Sequence, residues 1–266
     1  IAEQNMISTA AGLAAAGKIP FASTFAIFAS ERACNQVTIS VAYPALNVKI
    51  VATHAGVTVG EDGATHQALL DLAIMRAIPN MTVLVPADAV STDKAVRLAA
   101  SRYGPFYIRL GREKVPVIYD KNTNYEIGKA NILRNGSDVA LIACGVMVSQ
   151  VLEASEQLAS EGISARVIDM HSLKPLDEEA IISAAREIGA IVTAEEHSII
   201  GGLGSAIAEV LVENEPVPME RIGVRDLFGQ SGSAEDLLGE YGLKALNIVE
   251  AAKRVIKRRE RSLVIT

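Results

Sequence analysis

Residues 53–67, Thr53-His54-Ala55-Gly56-Val57-Thr58-Val59-Gly60-Glu61-Asp62-Gly63-Ala64-Thr65-His66-Gln67, decide how the chain is read. The stretch holds two of the four histidines, an adjacent Glu–Asp pair and three glycines. It follows an apolar run (Val48, Ile50, Val51) that reads as a buried strand. It precedes an apolar-periodic segment (Leu69, Leu70, Leu72, Ile74, Met75) that reads as a helix. A polar, glycine-rich loop between strand and helix is where α/β proteins concentrate their chemistry.

Outward from this loop, strands and helices alternate. Short apolar runs at Val48–Ala52, Thr82–Val85, Phe106–Leu110, Val139–Ala143, Ala165–Ile168 and Ala190–Thr193 read as strands. Helical periods fall between them at Leu69–Ile78, Ala89–Ala100, Val148–Ala159, Glu178–Ile188 and Ala206–Val212. The alternation predicts an α/β protein with two consecutive domains, each a mostly parallel sheet flanked by helices. The segment from Gly111 to Glu126 breaks the rhythm with Pro116 and a polar run from Asp120 to Asn124. It divides the chain into a first domain (1–115), a linker (116–127) and a second domain (128–266). A helical pattern opens at Glu3 with no strand or cap before it, which predicts that residue 1 lies inside a domain.

The 266 residues are 50% hydrophobic and 21% charged, the balance of a packed globular protein. A formal net charge of −6 argues against nucleic-acid binding. Two cysteines, Cys34 and Cys144, are too few for a disulfide framework and lack metal-ligand spacing, which points to a reducing compartment. No apolar run approaches 18 residues, so a soluble, cytoplasmic protein with no membrane partner is expected. The basic stretch Lys253, Arg254, Lys257, Arg258, Arg259 and Arg261 reads as a solvated helix end that complements its own dipole, in preference to a site for an anionic partner.

Several residue groups could carry chemistry, and each also has a bland reading. Phe25 and Phe28, three apart on a loop-to-helix entry, can face one way and stack a planar heterocycle, or form a core pair. Glu3 is either a first-turn carboxylate favouring the helix dipole or a buried acid–base group. His54, Glu61, Asp62 and His66 match no compact metal-ligand motif and suit a polyol substrate better, since an unmatched hydroxyl leaves buried polar groups unpaired. Arg109 and Arg112, at the C-terminal edge of a strand, suit bidentate phosphate recognition or a surface salt bridge. Gly201-Gly202-Leu203-Gly204 resembles a phosphate-binding turn without being GxGxxG, and a tight helix entry explains it more simply.

Taken in order, the motifs resemble the C-terminal half of a transketolase over nearly the whole chain. The first domain contributes Ile1–Met6 (IAEQNM), Phe21–Arg32 (FASTFAIFASER), the 53–67 loop and Arg109–Arg112 (RLGR). The second contributes Lys174-Pro175-Leu176-Asp177, Glu195-Glu196-His197-Ser198 and Phe228-Gly229-Gln230-Ser231-Gly232. The resemblance implies a thiamine-diphosphate pyrimidine-binding fold followed by a transketolase C-terminal, Rossmann-like fold. It implies two-carbon ketol transfer between phosphorylated sugars in the pentose phosphate pathway. Glu3 matches the catalytic family glutamate that bonds the aminopyrimidine ring nitrogen and promotes its imino tautomer. Phe25 and Phe28 match the aromatic pocket around that ring. Some members place a further aromatic where Glu31 stands here, while others resemble this chain with Arg32 following, so Arg32 joins the cofactor-binding set. His54, Asp62, His66 and Arg112 match substrate-side residues. Asp62 would hold an acceptor hydroxyl, His66 would lie near the reacting carbons as a second catalytic residue, and His54 with Arg112 would bind sugar hydroxyls and phosphate.

The family's diphosphate- and metal-binding signature, Gly-Asp-Gly…Asn-Asn, is not in these 266 residues, nor are the groups that precede Glu3 in the family, including the first strand of the pyrimidine-binding domain. The resemblance therefore implies a composite active site. Thiamine diphosphate would be shared with an N-terminal transketolase subunit or domain, which would hold Mg²⁺ or Ca²⁺, in a homodimer or heterotetramer; no metal is expected on this chain. Deoxyxylulose-phosphate synthase shares part of the pattern but typically has an acid–arginine pair where Thr53-His54 stands. A ketoacid dehydrogenase β subunit fits the 53–67 loop poorly. A non-catalytic regulatory subunit of the same fold is the alternative of a different class. The second domain is expected to serve assembly and to carry no catalytic group.

Overall fold

The computed structural model describes residues 2–263, so Ile1 of the IAEQNM motif lies outside the described residues. Two five-stranded sheets follow one another along the chain. The first is ordered β1 (Phe21–Phe25), β2 (Lys49–Thr53), β4 (Phe106–Arg109), β3 (Thr82–Leu84), β8 (Ser172–Lys174). Its first four strands pair in parallel, and β8, contributed from the second half of the chain, closes the edge antiparallel to β3. The second sheet is ordered β10 (Met219–Val224), β9 (Ile191–Ser198), β6 (Val139–Ala143), β7 (Ala165–Asp169), β5 (Asn131–Arg134), with only β5 antiparallel.

The helices cover these sheets as the apolar periodicity requires. α1 (Glu3–Ala15) buries Ile7, Ala10, Ala11 and Ala14. Helical turns then run from Phe28 to Ala42, wound as π-helix on either side of a short α2 (Cys34–Gln36). α3 (Asp71–Ala77) and α4 (Ala89–Ser101) complete the first layer. α5 (Met147–Ser160), α6 (Glu178–Ile188), α7 (Leu203–Asn214), α8 (Ala234–Glu240) and α9 (Ala245–Leu263) belong to the second. Local signals fix their ends. The Asp177 carboxylate caps α6 by accepting from the Ala180 N–H at 3.2 Å, and Gly189 ends that helix in the left-handed conformation.

Three sequence expectations change. Phe21–Phe25 is strand β1, not a loop leading into a helix, so Phe25 ends a strand and Phe28 begins the following turn. Small and polar residues (Ala22, Ser23, Thr24) at an edge concealed its alternation. β9 runs on to Ser198, because Glu195, Glu196 and His197 continue the strand while fully buried. The basic stretch of α9 is also more engaged than a solvated helix end. Arg259 donates to the carbonyls of Asp138 and Ile188, and Lys253 and Arg254 pair with Glu161 and Glu220.

The segment from 116 to 127 is packed down. Asp88, which caps α4 through the Ser91 N–H, also accepts from the N–H groups of Ile118 and Tyr119 at 2.7 and 2.9 Å. The Tyr119 hydroxyl donates to Asp169 at 2.6 Å.

One buried ion pair joins the halves of the molecule. Arg109, at the end of β4, donates through Nε and Nη2 to both oxygens of Asp71, at 2.8 and 3.3 Å. The same Nη2 reaches the carbonyls of Ala68 and of Glu196 in the second sheet. Tyr107 donates its hydroxyl to Asp71 at 2.7 Å. Removing one member of so buried a pair strands the other charge, a loss of about 3–5 kcal/mol, whereas removing both is far milder. Arg109→Met should therefore lower the denaturant midpoint sharply, and Asp71→Leu/Arg109→Met should recover part of that loss. Equal stability of the parent and the single variant would contradict this account.

Candidate functional site

The functional candidates gather at the C-terminal ends of β1 and β2, where loops of an open parallel sheet are free to build a crevice. Phe25 is the last residue of β1 and pairs in register with Thr53 of β2. The next residue, His54, adopts a left-handed backbone (φ 58°). That conformation costs a non-glycine residue about 1–2 kcal/mol. It lays the imidazole on Phe25, with ring centres 3.8 Å apart and planes 8° from parallel. His54 Nδ1 lies 3.0 Å from the Thr53 hydroxyl.

Phe25 and Phe28 are nearly coplanar in orientation (5°) with centroids 5.8 Å apart. Two faces enclosing a third ring need about 7 Å, twice the van der Waals separation. A heterocycle would therefore stack beside the pair and not between the two rings. His66 stands edge-on to both, at 5.4 Å from Phe28 and 6.1 Å from Phe25. Its Nδ1 is 2.9 Å from the Thr65 hydroxyl.

Glu3 opens α1, and its side chain is only 2% exposed. Arg32 Nη1 donates to its carboxylate at 3.1 Å, and the same guanidinium lies 4.3 Å over the Phe28 ring. Burial alone would raise the Glu3 carboxyl. Its own backbone N–H and then Arg32 are the main opposing causes, and the net direction is downward.

Beyond the rings, the 3₁₀ turn Val57–Asp62 carries the acidic pair. Arg112 Nη1 donates to the Val59 carbonyl and lies 3.4 Å from Glu61 and 3.8 Å from Asp62. This second group is electrically joined to the first. Burial, then the charge of Arg112, holds His54 below the usual imidazole value, and Asp62 opposes them. Glu3, Arg32, Phe28, Phe25, His54 and His66 thus form one contiguous set, with Asp62 and Arg112 beside it.

Arg109 does not belong to this set. It is buried against Asp71 and faces away from any phosphate role. The Gly201–Gly204 turn is a helix entry already filled from within. The N–H groups of Leu203 and Gly204 donate to the two Glu195 oxygens at 2.7 and 2.8 Å, so a carboxylate sits where an anion would bind α7. A Cβ at Gly202 would fall 2.0 Å from that carboxylate. Among the described residues no group of three or more His, Cys, Asp or Glu could hold a metal ion. No helix among them is long and apolar enough to cross a membrane.

The inner wall of the 53–67 loop escaped sequence reasoning. Gln67 donates from Nε2 to the carbonyls of Val57 (3.0 Å) and Gln230 (2.9 Å). The Thr58 N–H donates to the carboxyl of Glu196. The only sequence signal was the doubled acid before His197, on a run too polar to be read as strand.

If the two clusters form one electrostatic unit, Arg112→Ala should raise the His54 pKa and Asp62→Asn should lower it. Imidazole NMR titration of this chain reads both shifts. Indifference of His54 to both substitutions would separate the clusters.

Comparison with known proteins bears on the family and the fold. Residues 1–117 match the model of the transketolase pyrimidine-binding domain, and residues 128–248 match that of the transketolase C-terminal domain. A relative named 6-deoxy-6-sulfo-D-fructose transketolase subunit SqwH, from Clostridium sp. (strain MSTE9), is 50% identical over 97% of this chain and 80% of its own length. A putative transketolase C-terminal section from Methanocaldococcus jannaschii is 51% identical over the same shares. A solved structure described as a split gene transketolase, inactive beta4 tetramer, superposes with a TM-score of 0.93 at 52% identity, covering 97% of this chain and 83% of that one. With both domain models matched in order and half of its residues shared with such relatives, this chain belongs to the transketolase family.

Proposed function

We propose that this chain is the C-terminal subunit or section of a transketolase and acts in thiamine-diphosphate-dependent transfer of a two-carbon ketol unit between phosphorylated sugars. The observation that carries the reading is the contiguity of Glu3, Arg32, Phe28, Phe25, His54 and His66 at one sheet edge, with Asp62 and Arg112 beside them. The fit to an aminopyrimidine is chemical. Arg32 already presents a flat, N–H-donating group stacked on Phe28 and bonded to Glu3, which is how a protonated aminopyrimidine would present itself.

When bound, thiamine diphosphate supplies the carbanion chemistry of the reaction. Glu3 would hold the ring nitrogen and share its proton. Phe28 and Phe25 would bound the ring face. His54, kept neutral at physiological pH by burial and by Arg112, can donate to or accept from a sugar hydroxyl without carrying charge. His66, edge-on to the rings, would reach the hydroxyls of the reacting carbons. Asp62 would fix an acceptor hydroxyl and Arg112 the anionic end of the sugar. The diphosphate and its Mg²⁺ or Ca²⁺ would be held by a diphosphate-binding partner domain, in a homodimer or heterotetramer. A cytoplasmic pentose phosphate setting accords with this chemistry.

An intact Glu3, Asp62, His54 and His66 favour a catalyst over a regulatory subunit of the same fold, since stability alone does not require that set. Thr53-His54, where a deoxyxylulose-phosphate synthase typically has an acid–arginine pair, favours a transketolase over that enzyme. The test mixes this chain with a diphosphate-binding transketolase subunit, thiamine diphosphate and Mg²⁺. Xylulose 5-phosphate serves as donor and ribose 5-phosphate as acceptor, with 6-deoxy-6-sulfo-D-fructose as a second donor. Ketol transfer should appear only in the mixture, and Glu3→Ala should reduce kcat by about 10²–10⁴. Undiminished transfer by Glu3→Ala with cofactor saturating would refute the central assignment.

A further inference from the structure

Glu196 lies near the end of β9, in the second domain, with its side chain buried. Its carboxyl nevertheless points out of its own domain. Oε1 accepts the backbone N–H of Thr58 at 2.5 Å, the second residue of the 3₁₀ turn that carries Asp62. The approach is close enough to dictate sequence on the other side. A Cβ at Gly56, whose φ is 82°, would fall 2.2 Å from the Glu196 carboxyl carbon and within 2.4 Å of both its oxygens. The carboxyl therefore lies flat on the glycine backbone at the entry to the turn.

Nothing in β9 itself requires this acid. The strand's unbroken ladder to both neighbours is complete by Ala194, two residues earlier, and the adjacent Glu195 is spent on the α7 N-terminus. The Thr58 hydroxyl also lies against this carboxyl, and it and Glu196 Oε2 are both buried with no partner from any other residue. Arg109 from β4 and the Thr58 bond draw the carboxyl down, and Asp71 from α3, paired with Arg109, opposes them more weakly. Burial then dominates and pushes Glu196 up to about 7. At neutral pH its acceptor oxygen serves in both protonation states, so a neutral amide of the same shape can replace it.

We propose that Glu196 is a positioning residue for ketol transfer, a carboxyl of the second domain that holds the Thr58 N–H and thereby the turn presenting Asp62 and the Val59 carbonyl to Arg112. The proposal rests on the reading of the 53–67 loop as substrate-binding. It gives the second domain a part in the site besides assembly. Without the hold, Asp62 and Arg112 lose their fixed spacing, and sugar binding weakens while the reaction of bound sugar changes little.

The test uses this chain assembled with a diphosphate-binding transketolase subunit, thiamine diphosphate and Mg²⁺. Three variants are compared with the parent. Glu196→Met removes the acceptor, Glu196→Asp keeps the charge but withdraws it by one methylene, and Glu196→Gln keeps acceptor and shape. A hydrogen bond to an ionisable group is worth roughly a 10–100-fold effect. Met and Asp should each raise the acceptor-sugar KM by about that factor with kcat within about threefold, and Gln should restore KM to within about threefold of the parent. Hydrogen exchange gives a readout independent of turnover. The Thr58 amide should exchange about 10–100-fold faster in Met and Asp, with the amides of β9 and β4 unchanged, and at the parental rate in Gln. Unchanged Thr58 exchange and KM in both Met and Asp would overturn the proposal. So would a general loss of protection without the KM-selective effect, which marks a merely structural acid. If the parent assembly transfers no ketol from any sugar while Thr58 exchange still follows the acceptor, the reading of the function fails and the hold on the turn stands.

Discussion

The buried Asp71–Arg109 pair is the constraint on which the rest of the molecule depends. Arg109 ends β4 in the first sheet, Asp71 begins α3, and the remaining guanidinium valence is divided between the carbonyls of Ala68 and Glu196. A single side chain thus ties the end of the 53–67 loop to the second sheet in a place water does not reach. A charge pair there is costly to desolvate and costly to break, so it fixes one arrangement of the two sheets more than it adds stability. Once that arrangement is set, Glu196 arrives beneath Gly56 and Thr58, and Gln230 arrives beside Gln67. The candidate site is therefore a loop of the first domain held from behind by the second.

Much of this was legible from the chain. Val48–Ala52, Thr82–Val85 and Val139–Ala143 are short apolar runs with turn residues at their ends, and each is a strand within a residue or two of its bounds. Glu178–Ile188 carries its own cap and its own glycine stop, and its ends match. The candidate residues were legible as a set because several motifs stood in order, and the structure brings those from Glu3 to Arg112 into one neighbourhood.

What was not legible has a common cause. β1 and the second half of β9 are strands whose buried side chains do not advertise burial: Ala22 and Thr24 in one, Glu195, Glu196 and His197 in the other. The first is small enough to pack anywhere. The second is buried only because partners from distant parts of the chain satisfy it, and that satisfaction is a tertiary fact. The same reason misdirected Arg109. At the end of a strand it looked outward, but Asp71, 38 residues away, turns it in. Glu195 shows the reverse case: a glycine turn that looks able to take a phosphate is already occupied by the chain's own carboxylate.

The central claim is that this chain supplies the pyrimidine-side and substrate-side walls of a thiamine-diphosphate site whose other half lies on a diphosphate-binding partner. Isothermal titration of thiamine diphosphate tests it most directly. The account predicts saturable, Mg²⁺-dependent binding when the partner subunit is present and none to this chain by itself. Tight binding to the isolated chain, with or without Mg²⁺, would contradict it.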